Sequence, residues 1–186
     1  MNKMMLLSGL CLFISSIACS QDSQLKEHII FFSSFDGKTS AEVALGDSQI
    51  YSAKNYKEAH AAKAGLHNPG VELAKGKGLV GDALYFTSKN TSAIFYSANK
   101  NLGYNRKSWS GTVSFWLSLD PDKDLAPGYC DPINITDVRY NDAAFWVDFT
   151  DHNPREFRLG AMGDLAVWNP DNKEDNSLWE ERTVDV

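Results

Sequence analysis

An all-β sandwich is the fold class this sequence predicts, on three observations. Residues 112–119 alternate strictly, with Val113, Phe115, Leu117 and Leu119 on one face and Thr112, Ser114, Trp116 and Ser118 on the other. Residues 144–150 repeat the pattern, with Phe145, Val147 and Phe149 opposed to Ala144, Trp146, Asp148 and Thr150. Short apolar runs elsewhere are separated by Gly, Pro, Asn and Asp. A period of two residues is the signature of a pleated strand with unlike faces, and many short strands between turn residues indicate sheet packed on sheet.

In chain order, His28, Ile29, Ile30, Phe31 and Phe32 form the first run of strand type, stopped by Ser33 and Ser34. Residues 55–66 are the one helix-favouring stretch, closed by Gly65, and read equally well as a loop. Gly76, Gly78 and Gly81 punctuate the approach to a strand at residues 83–86. After the two long alternations come shorter ones at 157–159 and 165–168, separated by Met162, Gly163 and Asp164.

The first residues are of a different kind. Lys3 is followed by a run of largely apolar, uncharged residues from Met4 to Ile17. That length suits the core of an export signal and falls short of the roughly 20 apolar residues of a membrane span. Ser16, Ile17, Ala18 and Cys19 then resemble the bacterial lipobox, with Ser16 where that motif favours Leu. The resemblance implies a signal peptide over residues 1–18, lipid on Cys19, a polar tether through residue 27 and a single folded domain over 28–186. Several acyl chains give stable anchoring, because each buried methylene adds to membrane affinity. Ser20, rather than Asp, after Cys19 resembles an outer-membrane address, so the expected location is the bacterial cell envelope. Loss of Lys3 with the signal takes the net charge from −6 to −7. An acidic chain with no basic cluster does not invite nucleic acid.

Three further segments carry a family resemblance. Phe35-Asp36-Gly37 resembles the opening of laminin-G-like, concanavalin A-like jelly rolls. The stretch Gly78-Leu79-Val80-Gly81-Asp82-Ala83-Leu84-Tyr85-Phe86 is similar to their G-x-x-G-x-A-L-x-F strand, and Ser114-Phe115-Trp116 to their central S-F-W strand. The ordered set covers roughly residues 31–119. It implies a two-sheet jelly roll, and often glycan or protein binding. Such domains close with a W-x-H-V strand, a D-G hairpin and an I-D-D-V strand. Residues 169–186 are polar and acidic, and only Thr183, Val184, Asp185 and Val186 could begin a strand. An incomplete sandwich with an open sheet edge is therefore expected.

Catalytic motifs are missing. No Glu has an Asp two residues later, so the E-x-D-x-x-E carboxylate pair of jelly-roll glycan hydrolases does not occur. Neither do G-x-S-x-G, H-E-x-x-H, C-x-x-C or a Walker loop. His28, His60, His67 and His152 are scattered. With Cys11 in the signal and Cys19 lipidated, Cys130 is left as a small thiol beside a Pro-Gly turn and no internal disulfide forms.

Two groups of residues remain as candidates. Asp120, Asp122 and Asp124 offer alternating carboxylates to a hard cation such as Ca²⁺, though Leu125 stands where an EF-hand needs Gly. Trp116 and Trp146 are expected on one face of one sheet, with Asp148, Arg158 and Trp168 also on polar sides of their strands. Such a face offers rings for stacking on a sugar and hydrogen-bonding groups for its hydroxyls. The expected function is a membrane-anchored, non-catalytic carbohydrate-binding module. Two rivals are a glycan hydrolase with unfamiliar carboxylates and an adhesion or assembly module that binds protein through an open sheet edge.

Overall fold

The computed structural model describes residues 25–89, 91–105, 107–136 and 139–171, and the backbone of 183–185. Cys19 and the signal segment lie outside the described residues. Within them no helix is long and apolar enough to cross a membrane. The fold is all-β: strands in antiparallel sheets, with few and short helices among the described residues.

Strands β1 (Phe31–Phe32) and β2 (Val43–Ala44) form a two-stranded ladder. Strand β3 (Ile50–Ala53) lies between β4 (Lys63–Ala64) and β7 (Ala93–Tyr96), while β5 (Val71–Ala74) pairs with β6 (Ala83–Phe86). The largest sheet is four-stranded, in the order β11 (Thr183–Asp185), β10 (Phe157–Ala161), β9 (Phe145–Phe149), β8 (Cys130–Ile135). Residues 183–185 thus do form a late strand, and it caps one edge of this sheet.

The helix-favouring stretch at 55–66 contains a three-ten helix over Tyr56–Ala61, begun by Asn55, whose side chain accepts from the Glu58 N–H. Within the polar stretch expected as a tether, residues 25–27 form a helical turn.

Residues 165–168 are a single helical turn, Leu165–Trp168, and not the alternating strand that the pattern implies. The reason is Asp164. Its carboxylate accepts from the Ala166 N–H at 3.0 Å, a helix N-cap that outweighs a four-residue period. Asp142 adds a second tie by accepting from the Leu165 N–H at 2.9 Å.

Residues 112–119 are the second departure. They belong to no ladder among the described residues. Their alternation still sets which side faces inward: Val113, Phe115 and Leu119 are half-buried, while Thr112, Ser114, Trp116 and Ser118 are exposed. The inward residues lie against the apolar face of the largest sheet. Val113 shares a cleft with Ile135, Phe145 and Ala161, and Phe115 shares another with Phe149 and Phe157. Leu102, Tyr104 and Trp109 line the first of these clefts as well, so the chain from 102 to 119 borders this sheet.

Candidate functional site

The opposite face of the largest sheet carries the chemistry. Alternation puts Trp146 and Asp148 of β9 on that face, and the antiparallel register sets Arg158 opposite Asp148 and Gly160 opposite Trp146. The site is built on two neighbouring strands whose register fixes the pairing of charge with charge and of ring with glycine.

Arg158 Nη2 donates to Asp148 Oδ2. The Asp148 residue is only 3% exposed, so this is a buried ion pair. Desolvating both charges is offset only where geometry and further hydrogen bonds are good. Here they are unfinished: among the described residues Asp148 Oδ1 and Arg158 Nε have no hydrogen-bond partner. The Arg158 guanidinium instead sits 5.1 Å from the ring centre of Tyr129 and 5.9 Å from that of Trp146, both within cation–π range. Tyr129, beside the Pro127-Gly128 turn, is 60% exposed and forms the outer wall.

Asp131 of β8 completes the group. Desolvation pushes its carboxyl above the ordinary value even though the residue as a whole is exposed. The Asp148 carboxylate pushes the same way, against the Arg158 charge and a hydrogen bond with Asn134. The arrangement is an exposed phenol ring over a guanidinium, flanked by two interacting carboxylates, with unsatisfied polar atoms beneath.

The three tryptophans do not form the shared exposed platform. Trp116 is 83% exposed, on the segment over the other face. Trp146 is 4% exposed and packs with Ala144 and Met162, its indole against Gly160 and its Nε1–H donating to Tyr140 O at 2.8 Å. Trp168 rests on the same cluster, and its Nε1–H donates to Asn141 O at 3.1 Å. The second face is covered at this end because the turn at Leu165–Trp168 folds over it.

The acidic turn is likewise committed. Asp120 caps the short helix Pro121–Asp124 by accepting from the Asp122 and Lys123 N–H groups, and its other oxygen accepts from Lys123 Nζ at 2.5 Å. Asp124 Oδ2 accepts from the Asp120 N–H at 2.7 Å. Among the described residues no three acidic, His or Cys side chains are grouped to hold a metal ion. Of the three carboxylates expected as Ca²⁺ donors, Asp120 and Asp124 thus have oxygens engaged by turn amides and a lysine.

Cys130 opens β8, half-buried, with its thiol donating weakly to Ala126 O at 3.3 Å. Sequence reasoning selected Asp148 and Arg158 and missed Tyr129 and Asp131. The turn before Tyr129 was visible, but its meeting with Arg158 depends on the path from β8 to β10. Comparison with models of known protein families, with curated proteins and with solved structures gives no match to any of them.

Proposed function

We propose that this chain is an exported bacterial lipoprotein, anchored through Cys19 in the cell envelope at the outer membrane, whose domain binds carbohydrate without catalysis. The observation that carries the binding reading is the open group around Arg158. Tyr129 offers an exposed ring face to sugar C–H groups, with the Arg158 guanidinium 5.1 Å from its ring centre. Asp131 supplies a further carboxyl at the rim.

A laminin-G-like jelly roll is the finer fold reading within this proposal. Two features support it. The Phe35-Asp36-Gly37 and Gly81-Asp82 segments are bonded to each other, and residues 113–119 lie as a second layer over the largest sheet.

The test is a glycan array on the signal-free protein, followed by titration of any hit. Tyr129→Ala should weaken binding by about 1 kcal/mol, the scale of one aromatic contact. An array without signal, or a Tyr129→Ala variant that binds unchanged, would remove the reading.

One observation favours a hydrolase as the second reading. Asp131 and Asp148 on adjacent strands interact, and the raised carboxyl of Asp131 suits a general acid beside an ionised partner. Release of product from polysaccharide, abolished by Asp131→Asn, would establish it over simple binding.

A further inference from the structure

The first ladder of the fold turns one apolar face outward. Phe31 lies opposite Ala44 and Phe32 opposite Val43, and the Leu45 N–H donates to Ile30 O at 3.2 Å, which carries the pairing one position further. Alternate residues of a strand share a face, and so do residues directly opposite in a ladder. Ile30, Phe32, Val43 and Leu45 therefore stand together on one face. Phe31 takes the other, where its ring meets that of Tyr96 edge-on at 4.9 Å. The outward four are 36%, 47%, 37% and 63% exposed. Glu42, beside Val43, has its carboxylate held by the Ser34 N–H and hydroxyl. Single exposed apolar residues are ordinary, whereas a contiguous group on one face marks a surface that meets protein or membrane.

We propose that this face of β1 and β2 rests on the bilayer that holds the Cys19 acyl chains, so that the domain lies against the membrane instead of standing off from its anchor. The proposal builds on the reading of Cys19 as the lipidated residue.

The length of chain selects the bilayer over other occupants. Five residues separate Cys19 from Leu25. Fully extended, that stretch spans about 22 Å at most between the two Cα atoms. Leu25 begins a single helical turn, closed by the His28 N–H donating to Leu25 O at 3.1 Å, and Ile30 follows two residues after His28. The apolar face thus starts almost as soon as the chain leaves its anchor, and Leu25 on the way is itself 65% exposed. A soluble partner has to enter the narrow space between domain and membrane, whereas the bilayer is already there. The lipid boundary also requires no backbone pairing and no shape match, and it takes up apolar side chains to a depth of about 5–10 Å. Anchoring makes this second contact effectively intramolecular, so a patch that would hold vesicles only weakly by itself is enough.

The test uses the mature lipidated chain on vesicles of phosphatidylethanolamine and phosphatidylglycerol, with the signal-free Cys19→Ala protein in solution as reference. Palmitate incorporation and flotation with the vesicles are read first. If either is missing, the anchoring reading falls and this proposal falls with it. Hydroxyl-radical labelling read by mass spectrometry then reports side-chain access, with the exposed Trp116 and Tyr129 as internal standards. Labelling of Phe32 and Leu45 should drop at least about threefold on the vesicles, as for side chains moved from water into the lipid boundary. Phe32→Glu places a charge within the face, and with the circular dichroism of the fold unchanged it should return Leu45 to its level in solution. A chain that floats yet leaves Phe32 and Leu45 as reactive as in solution overturns the proposal. So does protection of Leu45 that survives Phe32→Glu. A face already protected in the Cys19→Ala protein overturns it as well, because another part of the chain or a second copy then covers the patch.

Discussion

Asp36 and Asp82 hold each other's loops. The Asp36 carboxylate accepts from the Asp82 N–H at 2.7 Å, and the Asp82 carboxylate accepts from the Gly37 N–H at 3.0 Å. Asp82 also accepts from the Gly76 N–H at 2.8 Å. Two turns that are 46 residues apart are thereby clasped, and the approach to β6 is fixed against the end of β1.

Gly81 is the residue that allows this clasp. Its φ of +70° lies in the left-handed region, and a Cβ there would come within 2.0 Å of Asp36 Oδ1. Gly81→Ala should therefore cost about 1–3 kcal/mol, the scale of backbone held in a sparsely populated conformation. Asp82→Ala should cost less, about 1 kcal/mol, because water reaches the freed amides. Chemical denaturation of both variants checks the order. Equal losses would mean that steric fit at Gly81 contributes nothing beyond the hydrogen bonds.

The clasp joins two of the three segments picked out in the sequence, and local pattern explains why they were legible. Turn glycines and a strand period of two are short-range signals, so β6, β9 and β10 could be placed without knowing the rest of the chain. What the pattern could not show was partnership. Residues 112–119 have the alternation of a strand, yet among the described residues they join no ladder. Trp146 was expected in the open because its strand alternates, but whether that face is covered depends on Gly160 across the sheet and on the turn beginning at Leu165. That turn had a legible signal in Asp164, an N-cap residue ahead of four apolar positions. Tyr129 had none, because its value comes from a guanidinium that lies two strands away.

Gly160 should be as sensitive as Gly81 for a different reason. A Cβ on it would lie 2.1–2.5 Å from the Trp146 indole. The ring is buried against Ala144 and Met162 and cannot retreat without disturbing them. Gly160→Ala should cost about 1–3 kcal/mol by overpacking. Trp146 fluorescence should shift with it, whereas a silent substitution would show the ring to be loosely held.

Lipidation at Cys19 is checked by labelling. Expressed in a Gram-negative host, the chain should incorporate palmitate and partition with membranes. Cys19→Ala should abolish both, and a variant that still labels would end the anchoring proposal.

Calcium should leave the protein unmoved. A ligand that binds only the folded state must raise its stability by mass action. With Asp120 and Asp124 engaged by turn amides and Lys123, millimolar Ca²⁺ and chelator should give the same Tm. A rise with Ca²⁺ would show that the turn opens to admit the cation.

Stability should fall as pH rises through the titration of Asp131. Its carboxyl is raised in the folded state by desolvation and then by Asp148. A group whose folded pKa lies above its unfolded value favours folding while both states are protonated, and that contribution is lost as pH climbs through the folded value. The window opens near the ordinary Asp value of 3.8 and extends upward from it. Asp131→Asn removes the charge while keeping the shape, so it should stabilise the protein at pH 7 and give no advantage below about pH 4. Denaturation of the two proteins across pH 3–8 separates this from a general effect of the amide. A gain that is constant across pH would mean that Asp131 is not held up by its neighbours, and the case for a carboxylate pair with Asp148 would go with it.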